Sequence, residues 1–287
     1  MPVFIDVLMP ATGDDYADMA ADELEPYHQP FAEAGLVIRP RPWDLGPGDA
    51  DATLAFFAWG YHTQVDRWLE MLAAWPTGSL LLNPPALLAW NTRKTYLAEL
   101  EAQGIPIVPS RFGDADQVSV DAAFDQFGVD TLVVKPQISA GSYQTARVSR
   151  GDRVEPLAAA IIQPFIASVG EEGELSLFFI DGAFSHAARK VAKAGDFRVQ
   201  PQFGGVFTPL DPAHEEVALA ERVVNALPIA PLYARVDLLR LADGTLALIE
   251  VEAIEPDLYP DIDPGVPARL AAAVLAAIAA RSDHRRR

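Results

Sequence analysis

Short apolar runs of strand length alternate with helix-like runs through most of the 287 residues. Residues 3–9, 54–59 and 80–83 are apolar runs of strand length, and residues 64–75 are a helix-like run. Parallel strands that follow one another are usually joined by a helix, so this order predicts a parallel sheet covered by helices. We therefore expect a small doubly wound α/β domain over residues 1–88.

The second half of the chain is dominated by pairs of strand-like runs with a tight turn between them. Residues 174–180 and 183–189 flank Asp181-Gly182, and residues 232–241 and 245–251 flank Asp243-Gly244. Asp-Gly between apolar runs is typical of a two-residue hairpin turn, so this region is predicted to be α+β. The other predicted elements are a strand over residues 131–136 and helices over residues 91–103, 157–160, 214–227 and 266–281.

Composition argues against several classes of protein. Lys and Arg number 22 against 40 Asp and Glu, and this net charge of −18 argues against general nucleic-acid binding. Residues 1–90 alone carry 13 acidic and 3 basic side chains. The absence of cysteine excludes disulfides, thiolate zinc sites and thiol nucleophiles. No apolar run has the length of a membrane span, and no basic flank precedes the first run as in a signal peptide, so we expect a cytoplasmic protein.

Three carboxylates are predicted to meet on the last hairpin. A two-residue turn at Asp243-Gly244 places Asp237 opposite Glu250 and Arg235 opposite Glu252, all on one face of the strands. Like charges directly opposite each other on paired strands are destabilising, so the presence of these three carboxylates on one face requires an explanation. Oxygen ligands of this kind suit Mg²⁺, and a solvated acidic edge is the alternative. A longer turn would shift the register and separate these pairs.

Lysine is rare in this chain, and its positions are informative. The four lysines are Lys94, Lys135, Lys190 and Lys193, against 18 arginines, which indicates places where a compact ammonium is needed. Lys135 ends a strand before the small-residue loop 137–144, whose N–H groups could cover phosphates; an ordinary hairpin loop is the alternative. Lys94 is predicted at a helix start, where its charge opposes the helix dipole, and either an anionic ligand or plain surface basicity explains it.

Two further segments suggest ligand contacts. Residues 161–165 are apolar around Gln163 and could hold a purine, although a core strand has the same pattern. A two-residue turn at Asp181-Gly182 places Glu174 opposite Arg189. The basic, glycine-containing connection 190–198 is then predicted to be a mobile substrate-contacting loop or an ordinary surface loop.

Taken in order, these segments resemble the ATP-grasp superfamily over about residues 75–265. Arg235-Val-Asp237, followed by Glu250-Val-Glu252, is similar to the family's R-x-D…E-x-N metal motif, with Glu252 in place of the common asparagine. The resemblance implies an ATP-grasp fold of mixed α/β and α+β structure. A small N-terminal domain (1–88) would precede a central lid subdomain (89–165) and a C-terminal subdomain with the metal site (166–287), and the last two would clasp ATP.

The same resemblance implies the residues that bind nucleotide and metal. Lys94 and Lys135 would hold the phosphates under a lid formed by Ser139, Gly141 and Ser142. Gln163 and Phe165 would form the adenine hinge, and Glu174 would bind the ribose, with Glu171 as the fallback. Asp237, Glu250 and Glu252 would bind one or two Mg²⁺ ions, for which Mn²⁺ could substitute.

The spacing of Lys190, Arg198 and Gly204-Gly205 is similar to the glutathione-synthetase branch of the family. There Lys190, Arg198 and Arg235 would offset charge during catalysis, while Ser176 replaces a frequent arginine and indicates a different acceptor. The run ending at Arg198 is also similar to the ligase that closes the D-cycloserine ring.

The implied activity is a Mg-ATP-dependent, ADP-forming carboxylate–amine ligase that acts on a small amino-acid-like substrate through an acyl phosphate. Three alternatives stay open: a cyclising ligase, a kinase that stops at phosphoryl transfer, and a nucleotide-binding module without turnover. Acceptor contacts are expected from the N-terminal loops 10–16 and 59–62. The implied partners are small carboxylates and amines and, by the family's habit, a second or further copies of the chain in a homodimer or homotetramer.

Overall fold

The computed structural model describes residues 2–193, 196, 198–199 and 203–286, without the side chains of residues 282–286. Three sheets follow one another along the chain. In the described ranges no helix is long and apolar enough to cross a membrane.

The first sheet is parallel and has the strand order β2-β1-β3-β4. Its elements are β1 (Val3–Met9), α1 (Ala17–Glu33), β2 (Leu36–Pro42), β3 (Ala52–Leu54), α2 (Val65–Ala73) and β4 (Leu81–Leu82). The expected strand over 54–59 is wrong beyond Leu54, because residues 55–60 form turns at the end of β3. These turns place an aromatic loop at the carboxyl edge of the sheet, where ligands of parallel sheets commonly bind.

The second sheet is antiparallel, with the order β5-β8-β6-β7. It is preceded by α3 (Pro85–Asn91) and α4 (Tyr96–Ala102) and consists of β5 (Arg111–Ala115), α5 (Gln117–Phe127), β6 (Thr131–Pro136), β7 (Ala146–Ser149) and β8 (Leu157–Pro164). The predicted helix over 157–160 is wrong: this alanine-rich run pairs with β5 on one side and β6 on the other, and pairing overrides its helix propensity.

The third sheet has the order β11-β10-β9-β12-β13 and is antiparallel. Its elements are α6 (Ser168–Glu171), β9 (Glu174–Ile180), β10 (Ala183–Val191), β11 (Val206–Pro209), α7 (His214–Asn225), β12 (Tyr233–Arg240), β13 (Leu246–Glu252) and α8 (Val266–Arg286). Helix α8 belongs to the same apolar core as α1 and β1, so the C-terminal helix packs on the N-terminal sheet. The expected division at residues 88 and 165 remains a prediction.

A buried asparagine joins the first sheet to the third. Asn83 follows β4 with a φ of 57°, a left-handed conformation that asparagine tolerates better than most residues. Its amide nitrogen donates to the carbonyls of Tyr233 (2.8 Å) and Ala253 (2.7 Å). Its amide oxygen accepts from the N–H of Leu232 at 2.6 Å. One side chain thus satisfies three buried backbone groups of the third sheet.

We expect Asn83→Ala to lower the free energy of unfolding by about 3 kcal/mol, because it leaves buried polar groups without partners and strains the backbone. Urea unfolding measures the change. Asn225→Ala, at the exposed end of α7, is the matched control and should change stability by less than about 0.5 kcal/mol. Equal unfolding midpoints for the two variants would contradict this account.

Candidate active site

The hairpin β12–β13 brings the three predicted metal ligands together. Asp237 lies opposite Glu250 and Arg235 opposite Glu252, as predicted. The turn is longer than expected, however, because Leu241 pairs with Thr245 around a three-residue loop. One extra residue of β13, Ile249, then restores the register between Asp237 and Leu238. Such a bulge beside a functional site commonly sets the direction of side chains.

The carboxylates of Asp237, Glu250 and Glu252 each offer an oxygen, and these oxygens lie within 4.8 Å of one another. Burial disfavours their charged forms. The nearby Arg235 and Lys190 nevertheless hold the pKa of Asp237 at about 2. Glu252 differs: burial, with the charges of Glu250 and Asp237, outweighs Arg235 and raises its pKa to about 7. An all-oxygen donor set crowded by like charge fits a divalent cation such as Mg²⁺, which would relieve the repulsion.

Arg235 supports this cluster. Its guanidinium binds both oxygens of Asp237 at 2.9–3.0 Å and also contacts Glu252. The hydroxyl of Ser176, on the neighbouring strand β9, donates to Asp237 as well. Ser176 therefore orients a predicted metal ligand, a role that sequence alone did not indicate.

The hairpin β9–β10 differs from its predicted register. Glu174 lies opposite Lys190 and not opposite Arg189, because a bulge between Phe184 and His186 shifts β10 by one residue. Lys190 is thus a buried residue of a central strand and not part of a mobile loop. Its ammonium contacts Glu174 and lies 3.2 Å from Asp237. Burial opposes its charge, but these two carboxylates raise the pKa of Lys190.

Lys94 lies between α3 and α4, since the predicted helix 91–103 is broken there. Lys94 nevertheless lies at a helix start, as predicted, because it directly precedes Thr95, the N-cap of α4. Its ammonium is buried, binds Glu250 at 2.9 Å and donates to the carbonyl of Ser139 at 2.6 Å. Lys135 lies close by, near the end of β6. Burial and the positive charge of Lys94 lower the pKa of Lys135, and the negative charge of Glu250 opposes this shift only in part. Lys94 and Lys135 thus both face a partly enclosed space. The negative charge around Lys135 does not fully offset the cost of burying its ammonium.

A cavity of about 150 Å³ lies between the second and third sheets. Val133, Phe165, Leu239 and Ile249 give it an apolar wall. Every predicted site residue except Glu171 lines it, namely Lys94, Lys135, Ser139, Gly141, Ser142, Gln163, Phe165, Glu174, Lys190, Arg198, Arg235, Asp237, Glu250 and Glu252. Glu171 is exposed at the end of α6 and is not part of the cavity lining, so its position favours Glu174 as the predicted ribose contact.

Three of these residues have further contacts within the protein. The amide nitrogen of Gln163 donates to the hydroxyl of Ser110 at 2.9 Å. The ring of Phe165 lies 4.1 Å from the guanidinium carbon of Arg147. Arg198 forms an ion pair with Asp196 at 2.7 Å; residues 194, 195 and 197 of its predicted loop lie outside the described residues.

A second cavity, of about 510 Å³, adjoins the first and shares Lys190, Arg235 and Glu252 with it. Tyr16, Trp59 and His62, from the N-terminal loops 10–16 and 59–62, line this cavity. Glu255, Asp257 and Tyr259 also line it, and sequence reasoning missed them. The signal was present, because acidic residues recur from Glu250 to Asp257 beyond the end of β13.

Comparison with known proteins agrees with this architecture. Residues 118–260 match the RimK-like ATP-grasp domain. The chain contains an ATP-grasp domain. It is 28% identical over 267 residues to the cycloserine biosynthesis protein DcsG of Streptomyces lavendulae, covering 82% of this chain and 87% of that protein.

Solved ATP-grasp structures share the fold over nearly the whole chain. The crystal structure of D-cycloserine synthetase DcsG superposes with a TM-score of 0.81 at 23% identity, covering 96% of this chain and 99% of that one. D-alanine–D-alanine ligase from Bacillus anthracis gives a TM-score of 0.70 at 16% identity, covering 99% of both chains. The predicted ATP-grasp fold is confirmed. ATP-grasp ligases such as these relatives are ADP-forming carbon–nitrogen ligases. ATP and Mg²⁺ are typical of this family.

The ion network of this protein makes a prediction about stability. We expect Lys190→Met to lower the free energy of unfolding by about 3 kcal/mol, because Glu174 is left as a buried carboxylate without its cation. The double variant Lys190→Met, Glu174→Met should recover part of the loss, since two apolar side chains replace the pair.

Chemical unfolding of the two variants tests this pairing. Arg153→Met, which breaks an exposed pair with Glu155, is the control and should cost less than about 0.5 kcal/mol. The account of the network is wrong if the double variant is less stable than Lys190→Met.

Proposed function

We propose that this protein is a Mg²⁺- and ATP-dependent carboxylate–amine ligase that works through an acyl phosphate on a small amino-acid-like substrate. The observation that carries the proposal is the junction of the two cavities. Asp237, Glu250 and Glu252 lie there beside Lys190 and Arg235. The cavity of about 150 Å³, called the narrower cavity below, suits a nucleotide. The cavity of about 510 Å³, called the wider cavity, suits an acceptor substrate.

The residues of the narrower cavity have side chains that match a nucleotide. Lys94 and Lys135 supply positive charge for phosphates, beside a loop that contains Ser139, Gly141 and Ser142. Phe165 and the apolar wall suit a purine, with Gln163 at its edge and Glu174 within reach of ribose hydroxyls. Asp237, Glu250 and Glu252 would hold the Mg²⁺ ions.

The chemistry follows from the poor electrophilicity of a carboxylate. ATP would supply the phosphoryl group, and Mg²⁺ held by Asp237, Glu250 and Glu252 would neutralise charge on it. A carboxylate oxygen attacks the γ-phosphorus as the bond to the ADP oxygen breaks. The amine nitrogen then attacks the acyl carbon, the bond to phosphate breaks, and the amine gives its proton to solvent. No covalent residue is needed, so Lys190, Arg198 and Arg235 act by positioning and charge neutralisation.

A cyclising version of this reaction is the second candidate. It is favoured by the similarity to the cycloserine biosynthesis protein, which has 28% identity and covers 82% of this chain. In that case the attacking amine and the activated carboxylate belong to one molecule. The first step is the same, so the same residues would carry it.

A hydroxylamine trap tests the proposal. The protein is incubated with Mg-ATP, hydroxylamine and pools of amino acids and small carboxylates, and hydroxamate and ADP are measured. A hydroxamate formed together with ADP shows acyl transfer and identifies the carboxylate. ADP without hydroxamate points to the kinase or to cyclisation faster than capture. Nucleotide binding without either product would contradict the ligase.

We expect Glu250→Gln to reduce ADP release by at least about 100-fold, because it removes one charge from the proposed metal site. The same substitution at the exposed Glu221 of α7 is the matched control and should leave the rate unchanged. A normal rate in Glu250→Gln would show that the metal assignment is wrong.

A further inference from the structure

The wider cavity is lined by both cationic and acidic side chains. Lys190 and Arg235 lie where it meets the narrower cavity, and each is bound to carboxylates. Glu255 also lines both cavities, whereas Asp257 lines the wider one. Because bound carboxylates offset the charge of Lys190 and Arg235, a molecule in this cavity meets Glu255 and Asp257 as additional acidic groups.

Glu255 and Asp257 lack a cation of their own. Within the described ranges, neither carboxylate forms an ion pair. Glu255 has a hydrogen bond with Tyr61, and Asp257 accepts the N–H of Tyr259 at 2.9 Å. Burial raises the pKa of both groups, with Glu252 adding to the shift of Glu255. The charges of Lys94 near Glu255, and of Arg235 and Lys190 near Asp257, oppose these shifts but do not cancel them. A cation bound beside the two carboxylates would lower the cost of burying them.

Aromatic rings also line this cavity. Trp59, Tyr143, Phe207 and Tyr259 line it, and the last two rings pack with their centroids 4.9 Å apart. Ring faces attract ammonium and guanidinium groups, most strongly where water is excluded. Acidic and aromatic groups together form a chemically consistent site for an organic cation, whereas an inorganic ion would make no use of the rings.

A polar atom in the same wall has no partner. The Nδ1 atom of His62 is buried and makes no hydrogen bond within the described part of the chain. The His62 ring lies 5.2 Å from that of Tyr143, which belongs to the loop over the narrower cavity. Buried polar atoms are nearly always satisfied, so this atom indicates a ligand with a polar group along the wall.

We propose that the substrate whose carboxylate is activated carries a side-chain cation, an ammonium or guanidinium group in addition to the α-ammonium of an amino acid, which binds at Glu255 and Asp257 against the aromatic wall. The proposal rests on the proposed function and narrows it to a cationic amino-acid-like carboxylate. The acidic first 90 residues, with 13 acidic and 3 basic side chains, would favour the approach of such a substrate.

Pairs of carboxylates that differ in charge but little in shape provide the test. Arginine is compared with citrulline, and ornithine with norvaline, each as both enantiomers, in the hydroxamate assay with Mg-ATP. We expect kcat/KM to be at least about 20-fold higher for the cationic member of a productive pair. Asp257→Asn should raise KM for that member about tenfold with little change in kcat, and should not affect the neutral member.

Binding measured without turnover separates the two proposals. Calorimetry with Mg-ADP present should show arginine or ornithine binding to the wild type and weakly or not at all to Asp257→Asn, with Glu221→Gln as the unaffected control. Binding without hydroxamate supports the cation site and counts against the ligase. Hydroxamate from neutral carboxylates, unaffected by Asp257→Asn, supports the ligase and overturns the cation site. Neither binding nor hydroxamate with any of these compounds overturns the cation site.

Discussion

The ionised carboxylate of Asp237 is the constraint on which the third sheet depends. This side chain is only 1% exposed, and a buried charge is tolerated only when it is paired and hydrogen-bonded. Its partners come from three strands, with Arg235 on its own strand, Lys190 on β10 and Ser176 on β9. The registers of these strands are therefore linked, since a shift of one residue in any of them would turn a partner to the opposite face.

The registers of these strands also show how much of the strand pairing could be predicted from the sequence. The pairing of Asp237 with Glu250 was predicted from a two-residue turn that does not form, and the correct result arises because a longer turn and a bulge at Ile249 cancel. The same reasoning placed Glu174 opposite Arg189, where a single bulge puts Lys190 instead. Asp-Gly marks the place of a turn, but the bulges are set by packing between sheets.

Residues whose roles depend on distant segments were the hardest to predict. The local pattern located the strand of Lys135 and the carboxylates of β13, because strand ends and alternation are visible in a short window. Nothing near Asn83 indicates that it binds β12 and the segment after β13. Glu255 and Asp257 lie outside any regular element, so their place in the cavity follows only from the three-dimensional fold.

In the proposed function, the ion pair of Lys94 would link metal binding to phosphate binding. Lys94 is bound to Glu250 at 2.9 Å, so each neutralises the other. A divalent cation held by Glu250 would weaken that pair and leave the ammonium without its counter-charge. Phosphate oxygens beside Lys94 and Lys135 would replace it. Either ligand alone would leave part of this buried site with uncompensated charge, and the two together would balance it. Rare lysines serve this exchange well, because a compact ammonium can change partners more easily than the bidentate guanidinium of Arg235.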